Sequence, residues 1–148
     1  MNKFALTALA AVIISFGFQQ FADAHCEVPC GIYGDQARFE AMLEDTTTIT
    51  KAMVKINELA SATDAQSKNQ LSRWVSTKED HANKVQHTIA QYFLAQRVKA
   101  TAKNYVDQLK TSHAVIVAAM KCKQTVDGKQ AAALKEAILA LHKAYEAK

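Results

Sequence analysis

Apolar side chains recur at alternating three- and four-residue intervals after residue 34, the spacing that places them on one face of an α-helix. A first helix is predicted from Asp35 to about Ala60. A second is predicted to start at a capping box formed by Thr63 and Gln66 and to continue to about Arg97. The stripe of the first comprises Phe39, Met42, Ile49, Met53, Ile56 and Ala60, with Thr46 at the missing step, and that of the second Leu71, Trp74, Val75, His81, Val85, Ile89 and Tyr92.

The same pattern predicts two further helices. One runs from about Ala102 to Lys123, and the other follows the polar turn at 124–128. After Gly34 the chain has no proline and one glycine, Gly128, so little opposes a helical backbone. Four amphipathic helices with short connections predict an all-α, up-down four-helix bundle.

Residues 1–24 have a different character. Lys3 precedes an apolar run from Phe4 to Phe18, and the sequence Ala22-Asp23-Ala24 follows. This pattern predicts a signal peptide cleaved after Ala24, because a membrane anchor needs about 20 apolar residues. Residues 25–148 would then be exported, periplasmic or secreted, without a membrane segment. If the leader is instead a pro-sequence removed by a dedicated protease, the protein would be cytoplasmic.

Composition adds limits on partners. The chain is 49% hydrophobic and 22% charged, as expected for one globular domain beyond the leader. The formal net charge is +4, without a concentrated Lys/Arg run, so nucleic-acid binding is not indicated. A mildly basic surface does suit a small anionic ligand.

Two of the three cysteines, Cys26 and Cys30, lie in the sequence Cys-Glu-Val-Pro-Cys-Gly just after the predicted cleavage site. Pro29 and Gly31 favour a turn that brings the two sulfurs together. One interpretation is a short disulfide loop, since disulfides persist in exported proteins. The other is a metal-binding hook.

Cleavage after Ala24 makes His25 the first residue, which favours the hook. It places an α-amine, whose pKa is ordinarily about 7.7 to 8.0, beside an imidazole and a thiolate. The amine, the Cys26 backbone nitrogen and the two thiolates could form a planar N,S set, with the imidazole approaching along the axis. Planar coordination is typical of Ni(II) or Cu(II), whereas zinc prefers a tetrahedron.

The sequence His-Cys-Glu-Val-Pro-Cys-Gly-Ile-Tyr at 25–33 resembles the nickel hook of nickel-dependent superoxide dismutases, whose motif is His-Cys-x-x-Pro-Cys-Gly-x-Tyr. The resemblance implies one nickel per subunit and a homohexamer of four-helix subunits. The implied ligands are the His25 amine and imidazole, the Cys26 thiolate and backbone nitrogen, and the Cys30 thiolate. The implied reaction converts superoxide to oxygen and hydrogen peroxide through a Ni(III)/Ni(II) cycle.

The resemblance also implies residues around the metal. Tyr33 matches a tyrosine that gates small anions, and Tyr92 resembles a second tyrosine near the metal, although packing explains Tyr92 equally well. Glu40 aligns, after a linker one residue shorter, with a glutamate that holds the hook histidine. The family arginine that partners this glutamate has no clear counterpart, and Lys78 lies near the expected place.

The remaining histidines and the third cysteine show no ligand spacing. His81, His87, His113 and His142 are interpreted as surface or core residues. Cys122 is predicted to be a buried free thiol near a helix end.

Three other functions remain open. A copper oxidant could use an N-terminal histidine, but a further histidine partner at a recognisable spacing is missing. An exported, non-catalytic metal-binding protein would take up metal without turnover. A disulfide-stapled bundle would have no free hook thiols, so counting thiols separates it from both metal-binding alternatives.

Overall fold

A computed structural model of the protein describes residues 34–147, and within them the chain is helical with no strand. The helices are α1 (Gln36–Leu59), α2 (Ala65–His87), α3 (Tyr105–Gln124) and α4 (Gly128–Glu146), and α2 continues directly into a π-helix at Thr88–Arg97. The predicted all-α four-helix bundle is confirmed. The predicted hook, 25–33, lies outside the described residues, as does the predicted leader.

The connections are short, so successive helices run antiparallel. Each helix packs against its sequence neighbours, and α1 also packs against α4, which closes the bundle. The start of α1 therefore lies at the same end as the π-helix and the last turn of α4. We call this end of the bundle, which follows directly on the hook sequence, the hook end. None of the helices within 34–147 has the length and apolar character to span a bilayer.

Helix α2 begins one residue later than the predicted capping box. Asp64 occupies the N-cap, and its carboxylate accepts a hydrogen bond of 2.9 Å from the Ser67 backbone N–H. Thr63 and Asp64 are both good capping residues, and the extended backbone of Asp64 places its side chain over the free N–H groups of the first turn. The polar turn before α4 is confirmed, with Asp127 capping through Lys129 N.

The core follows the predicted stripes for α1, whose buried residues include Phe39, Met42 and Ile49 as well as Thr46. The stripe of α2 is only partly buried. Its first half is open, with Val75 40% exposed, while its later half, with Val85 and Ile89, is fully buried. Burial of α2 thus increases toward the hook end, where aromatic side chains fill the bundle.

Candidate functional site

Asp35 lies at the junction between the hook sequence and α1, and its carboxylate joins three helical segments. Its Oδ1 accepts a hydrogen bond of 2.7 Å from the Tyr92 hydroxyl. Its Oδ2 accepts bonds of 2.6 Å from Arg97 Nη2 and from the Tyr145 hydroxyl. Asp35 is the N-cap residue of α1 but does not cap its own helix with its side chain. We call these four residues the Asp35 cluster.

The cluster shifts the protonation of its members. Burial pushes the pKa of Asp35 upward, but hydrogen bonds from Arg97, Tyr145 and Tyr92, with the charge of Arg97, outweigh it and lower this pKa. Burial and the bond to Asp35 raise the pKa of Tyr92 to about 12. The same two causes raise the pKa of Tyr145. At neutral pH the site therefore holds an anionic Asp35, a cationic Arg97 and two protonated phenols.

The π-helix explains how Tyr92 and Arg97 both reach one carboxylate. They are five residues apart, and in an α-helix of 3.6 residues per turn they would point about 140° apart. The i→i+5 bonding of a π-helix, seen in the 2.8 Å bond from Val98 N to Phe93 O, puts more residues into each turn. Positions five apart then return to nearly the same face. A π-helix is rare, and such segments often occur at functional sites.

An aromatic layer lies beneath the cluster. The Phe39 ring centroid is 4.7 Å from that of Phe93, and Phe93 makes an edge-to-face contact with Tyr145 at 5.4 Å. The His142 ring stacks on Phe39 at 4.2 Å. These contacts fix both α1 and α4 at the hook end, since large aromatic pairs add stabilisation beyond their buried area. The Asp35 cluster therefore packs on a closely packed aromatic layer.

Positive charge also gathers at this end. The Arg38 guanidinium lies over the Tyr92 ring, 5.8 Å from its centroid. Arg97, about one-third exposed, is paired with the Asp35 carboxylate, so its charge is largely balanced. A guanidinium on a ring face is attracted by the ring quadrupole and keeps its charge available to solvent. Arg38 thus contributes the positive charge at the hook end that attracts an anion.

Of the predicted site residues, His25, Cys26, Cys30 and Tyr33 fall outside the described residues, so their placement stays a prediction. Tyr92 is buried at the hook end, in contact with Asp35. Glu40 is exposed near the start of α1, and its carboxylate accepts a bond of 2.9 Å from Gln36 Nε2. The structure therefore places Tyr92 and Glu40 on two helical segments that meet at the hook end.

Lys78 is placed elsewhere. It lies fourteen residues before Tyr92, about 20 Å along the helix axis at 1.5 Å per residue. Its ammonium is buried and donates to the carbonyls of Cys122 at 2.9 Å and Lys123 at 2.6 Å, and to Glu79 at 3.0 Å. These carbonyls belong to the last turn of α3, which lacks helical donors. These hydrogen bonds of Lys78 hold that turn and do not reach Glu40, so its predicted role beside Glu40 stays a prediction.

The other groups considered in the sequence are also located. Cys122 is a buried free thiol near the end of α3, as predicted, and burial raises its pKa to about 11. His81 Nδ1 is 2.6 Å from Asp45 Oδ1, a partner that the sequence pattern does not reveal. His113 is exposed. Within 34–147, no three His, Cys, Asp or Glu side chains converge in a way that could hold a metal ion.

The sequence pattern missed Asp35, Arg97 and Tyr145 as members of a site. Asp35 was visible only as a helix start, and Arg97 only as a helix end. The position of Asp35 directly after the hook motif was the one available indication. Its partners lie 57, 62 and 110 residues away and meet it only through the fold.

Comparison with known families identifies the family of the chain. A family model described as nickel-containing superoxide dismutase matches residues 20–148. The matched range contains the hook sequence, the Asp35 cluster and all four described helices. No curated protein and no solved structure matched the chain.

Proposed function

The chain belongs to the family of nickel-containing superoxide dismutases, oxidoreductases whose cofactor is nickel, and on this premise we propose that its nickel is held at the N-terminal hook by His25, Cys26 and Cys30. The α-amine of His25 becomes a ligand only when the leader is removed after Ala24. The observation that carries the proposal is the hook motif at 25–33, which lies within the residues that the family model matches. The Asp35 cluster ties the residues that follow this motif to two other helical segments.

The donor set fits nickel. Thiolates are soft ligands, and imidazole suits nickel among other divalent metals. His25 and Cys26 together offer an amine, an imidazole, a backbone nitrogen and a thiolate within two residues, and Cys30 adds a second thiolate. Strong electron donors of this kind favour the oxidised state of the metal. Nickel bound there supplies one-electron exchange between Ni(III) and Ni(II), so that one superoxide is oxidised to oxygen and the next, with two protons, is reduced to hydrogen peroxide.

The described residues contribute position and electrostatics. Asp35 fixes the start of α1, and hence the point from which the hook departs. Arg38, whose guanidinium lies over the Tyr92 ring, provides positive charge at the hook end and attracts superoxide electrostatically, whereas the charge of Arg97 is balanced by Asp35. Tyr92 lies at the same end, where its hydroxyl donates to Asp35 and its ring makes an edge-to-face contact with Phe93. Tyr33 lies two residues before Asp35 and is the proposed gate for small anions.

Assembly and location extend the same proposal. The subunits form a homohexamer, and the leader directs export to the periplasm or the medium. Exposed apolar side chains on α3, Val106, Leu109 and Met120, are of the kind that subunit contacts cover. Light scattering of the purified protein would give a mass six times that of the mature chain. A monomer at micromolar concentration would contradict the hexamer while leaving the metal site untouched.

Intact mass, nickel content and dismutation measured on one native sample test the metal site. We expect a chain that begins at His25 with about one nickel per chain and with activity. One added residue before His25, or Cys26→Ser, removes both nickel and activity, whereas Cys122→Ser, the matched control, keeps both. Nickel uptake without turnover supports the non-catalytic metal-binding alternative. A chain two hydrogens lighter and free of nickel identifies the disulfide-stapled bundle.

A further inference from the structure

The hydroxyl groups of Tyr92 and Tyr145 both point at one carboxylate, which limits what Tyr92 can donate. We propose that Asp35 is a positioning residue that accepts hydrogen bonds from the hydroxyl groups of Tyr92 and Tyr145, so that Tyr92 offers the reaction an oxygen lone pair and not a proton. The inference rests on the proposed function for its activity test only. The hydrogen-bond arrangement is tested without any metal.

The direction of each bond follows from donor counting. An ionised carboxylate has no proton to give, and each phenol has one. The O–O distances of 2.7 Å to Tyr92 and 2.6 Å to Tyr145 are hydrogen bonds, so in each case the phenol is the donor. Arg97 can only donate, and its 2.6 Å contact confirms that Asp35 is the common acceptor. The Tyr92 oxygen retains only acceptor capacity for any other partner.

The cluster keeps Asp35 in the ionised form. Its pKa is lowered because the bonds from Arg97 and the two phenols together outweigh the effect of burial. The side chain of Asp35 is only 16% exposed, so water competes little for its oxygens. Peroxide formation consumes protons. Because the Tyr92 hydroxyl proton is engaged in the hydrogen bond to Asp35, those protons come from water or from groups other than Tyr92.

The first experiment follows the tyrosines by NMR of ring-¹³C-labelled, metal-free protein as the pH is raised, with Tyr105→Phe used for assignment. In the unaltered chain the Tyr92 transition is expected near pH 12. Asp35→Asn moves it to lower pH, while Asp107→Asn, an exposed aspartate on α3, leaves it in place. A Tyr92 transition that stays unchanged in Asp35→Asn overturns the arrangement. If Asp35→Asn fails to fold, carboxyl ¹³C NMR compares Asp35 in Tyr145→Phe and in the unaltered chain. Losing one donor should raise the Asp35 pKa, and an unchanged Asp35 pKa overturns the arrangement.

The second experiment compares activity per bound nickel in Tyr92→Phe, Asp35→Asn and the double variant. If Tyr92 acts through Asp35, the double variant is as active, to within about twofold, as the less active of the two single variants, because both changes break the same hydrogen bond. If Tyr92 itself protonates the substrate, Asp35→Asn frees its proton and keeps or raises activity, while Tyr92→Phe loses tenfold or more. That second pattern overturns the proposal.

The two proposals fail in different ways. If the unaltered protein binds nickel but shows no dismutation, the proposed function fails, and the tyrosine transitions still decide whether Asp35 holds both phenols. If dismutation is present and the pH of the Tyr92 transition is unchanged in Asp35→Asn, the proposed function stands and the positioning role is wrong.

Discussion

Lys78→Met is the substitution that most clearly separates an effect on folding stability from an effect on nickel binding. Lys78 is 3% exposed, and its ammonium binds the carbonyls of Cys122 and Lys123 at the end of α3. Methionine has a similar length and removes all three bonds, including that to Glu79. The two carbonyls then lose their donor in a buried turn.

The expected cost comes from two opposing effects. Each hydrogen bond to a charged group contributes roughly 1.5 to 3 kcal/mol, so losing the two carbonyl bonds costs about 3 to 6 kcal/mol. Removing a buried ammonium relieves a desolvation penalty of several kcal/mol, which offsets part of that loss. We expect a net destabilisation of about 2 kcal/mol. For a domain of this size that lowers Tm by about 6 to 10 °C.

Thermal and urea unfolding of metal-free protein measure the effect, and nickel per chain is measured on the same preparations. Lys68→Met, an exposed position on the same helix, is the matched control and should leave Tm within about 1 °C. An unchanged Tm in Lys78→Met would refute the reasoning about the α3 turn. A loss of nickel without a change in stability would instead support the role that the family resemblance implied for Lys78.

Three further predictions concern single groups. Because the pKa of Asp35 is lowered on folding, the stabilisation from its carboxylate is complete above the unfolded pKa of about 3.9 and is lost as pH falls through the lower folded pKa. The free energy of unfolding in urea should therefore fall less steeply with acidification in Asp35→Asn than in the unaltered chain, and an equally steep fall would contradict this. Ser112 is fully buried, and its hydroxyl has no partner among the described residues, so Ser112→Ala should raise unfolding stability by about 1 kcal/mol, whereas a lower Tm would show that the hydroxyl is bonded. In a Cys26→Ser/Cys30→Ser variant, burial and the pKa of about 11 should make Cys122 react with a thiol reagent only as fast as the chain unfolds, and rapid labelling of the native protein would exclude this.

The helices were predictable because the information that defines them is local. The spacing of Phe39, Met42 and Ile49 predicts the buried face of α1, and the polar turn at 124–128 predicts where α3 ends. The helix bounds agree within about three residues. The predicted cap at Thr63 is wrong by one position because two adjacent residues can both cap, and only the backbone geometry selects Asp64.

For the site, the sequence supports predictions only where a motif is contiguous. The hook sequence at 25–33 is such a motif, and its role stays a prediction, whereas the Asp35 cluster unites side chains from distant helices. The π-helix was also hidden, since Thr88–Arg97 has no residue that marks a change from α-helical bonding. Without that change Arg97 would not share a partner with Tyr92, so neither the arginine nor its role follows from periodicity.

The distance in sequence between Asp35 and Tyr145, 110 residues, has a consequence for how the protein is made. The hook sequence and Asp35 are synthesised well before the helix that carries Tyr145. A nascent chain therefore carries Cys26 and Cys30 throughout that interval with Asp35 still lacking Tyr145 as a partner. If the hook binds nickel as proposed, the order of synthesis delays the complete anchoring of the metal site until the bundle has closed.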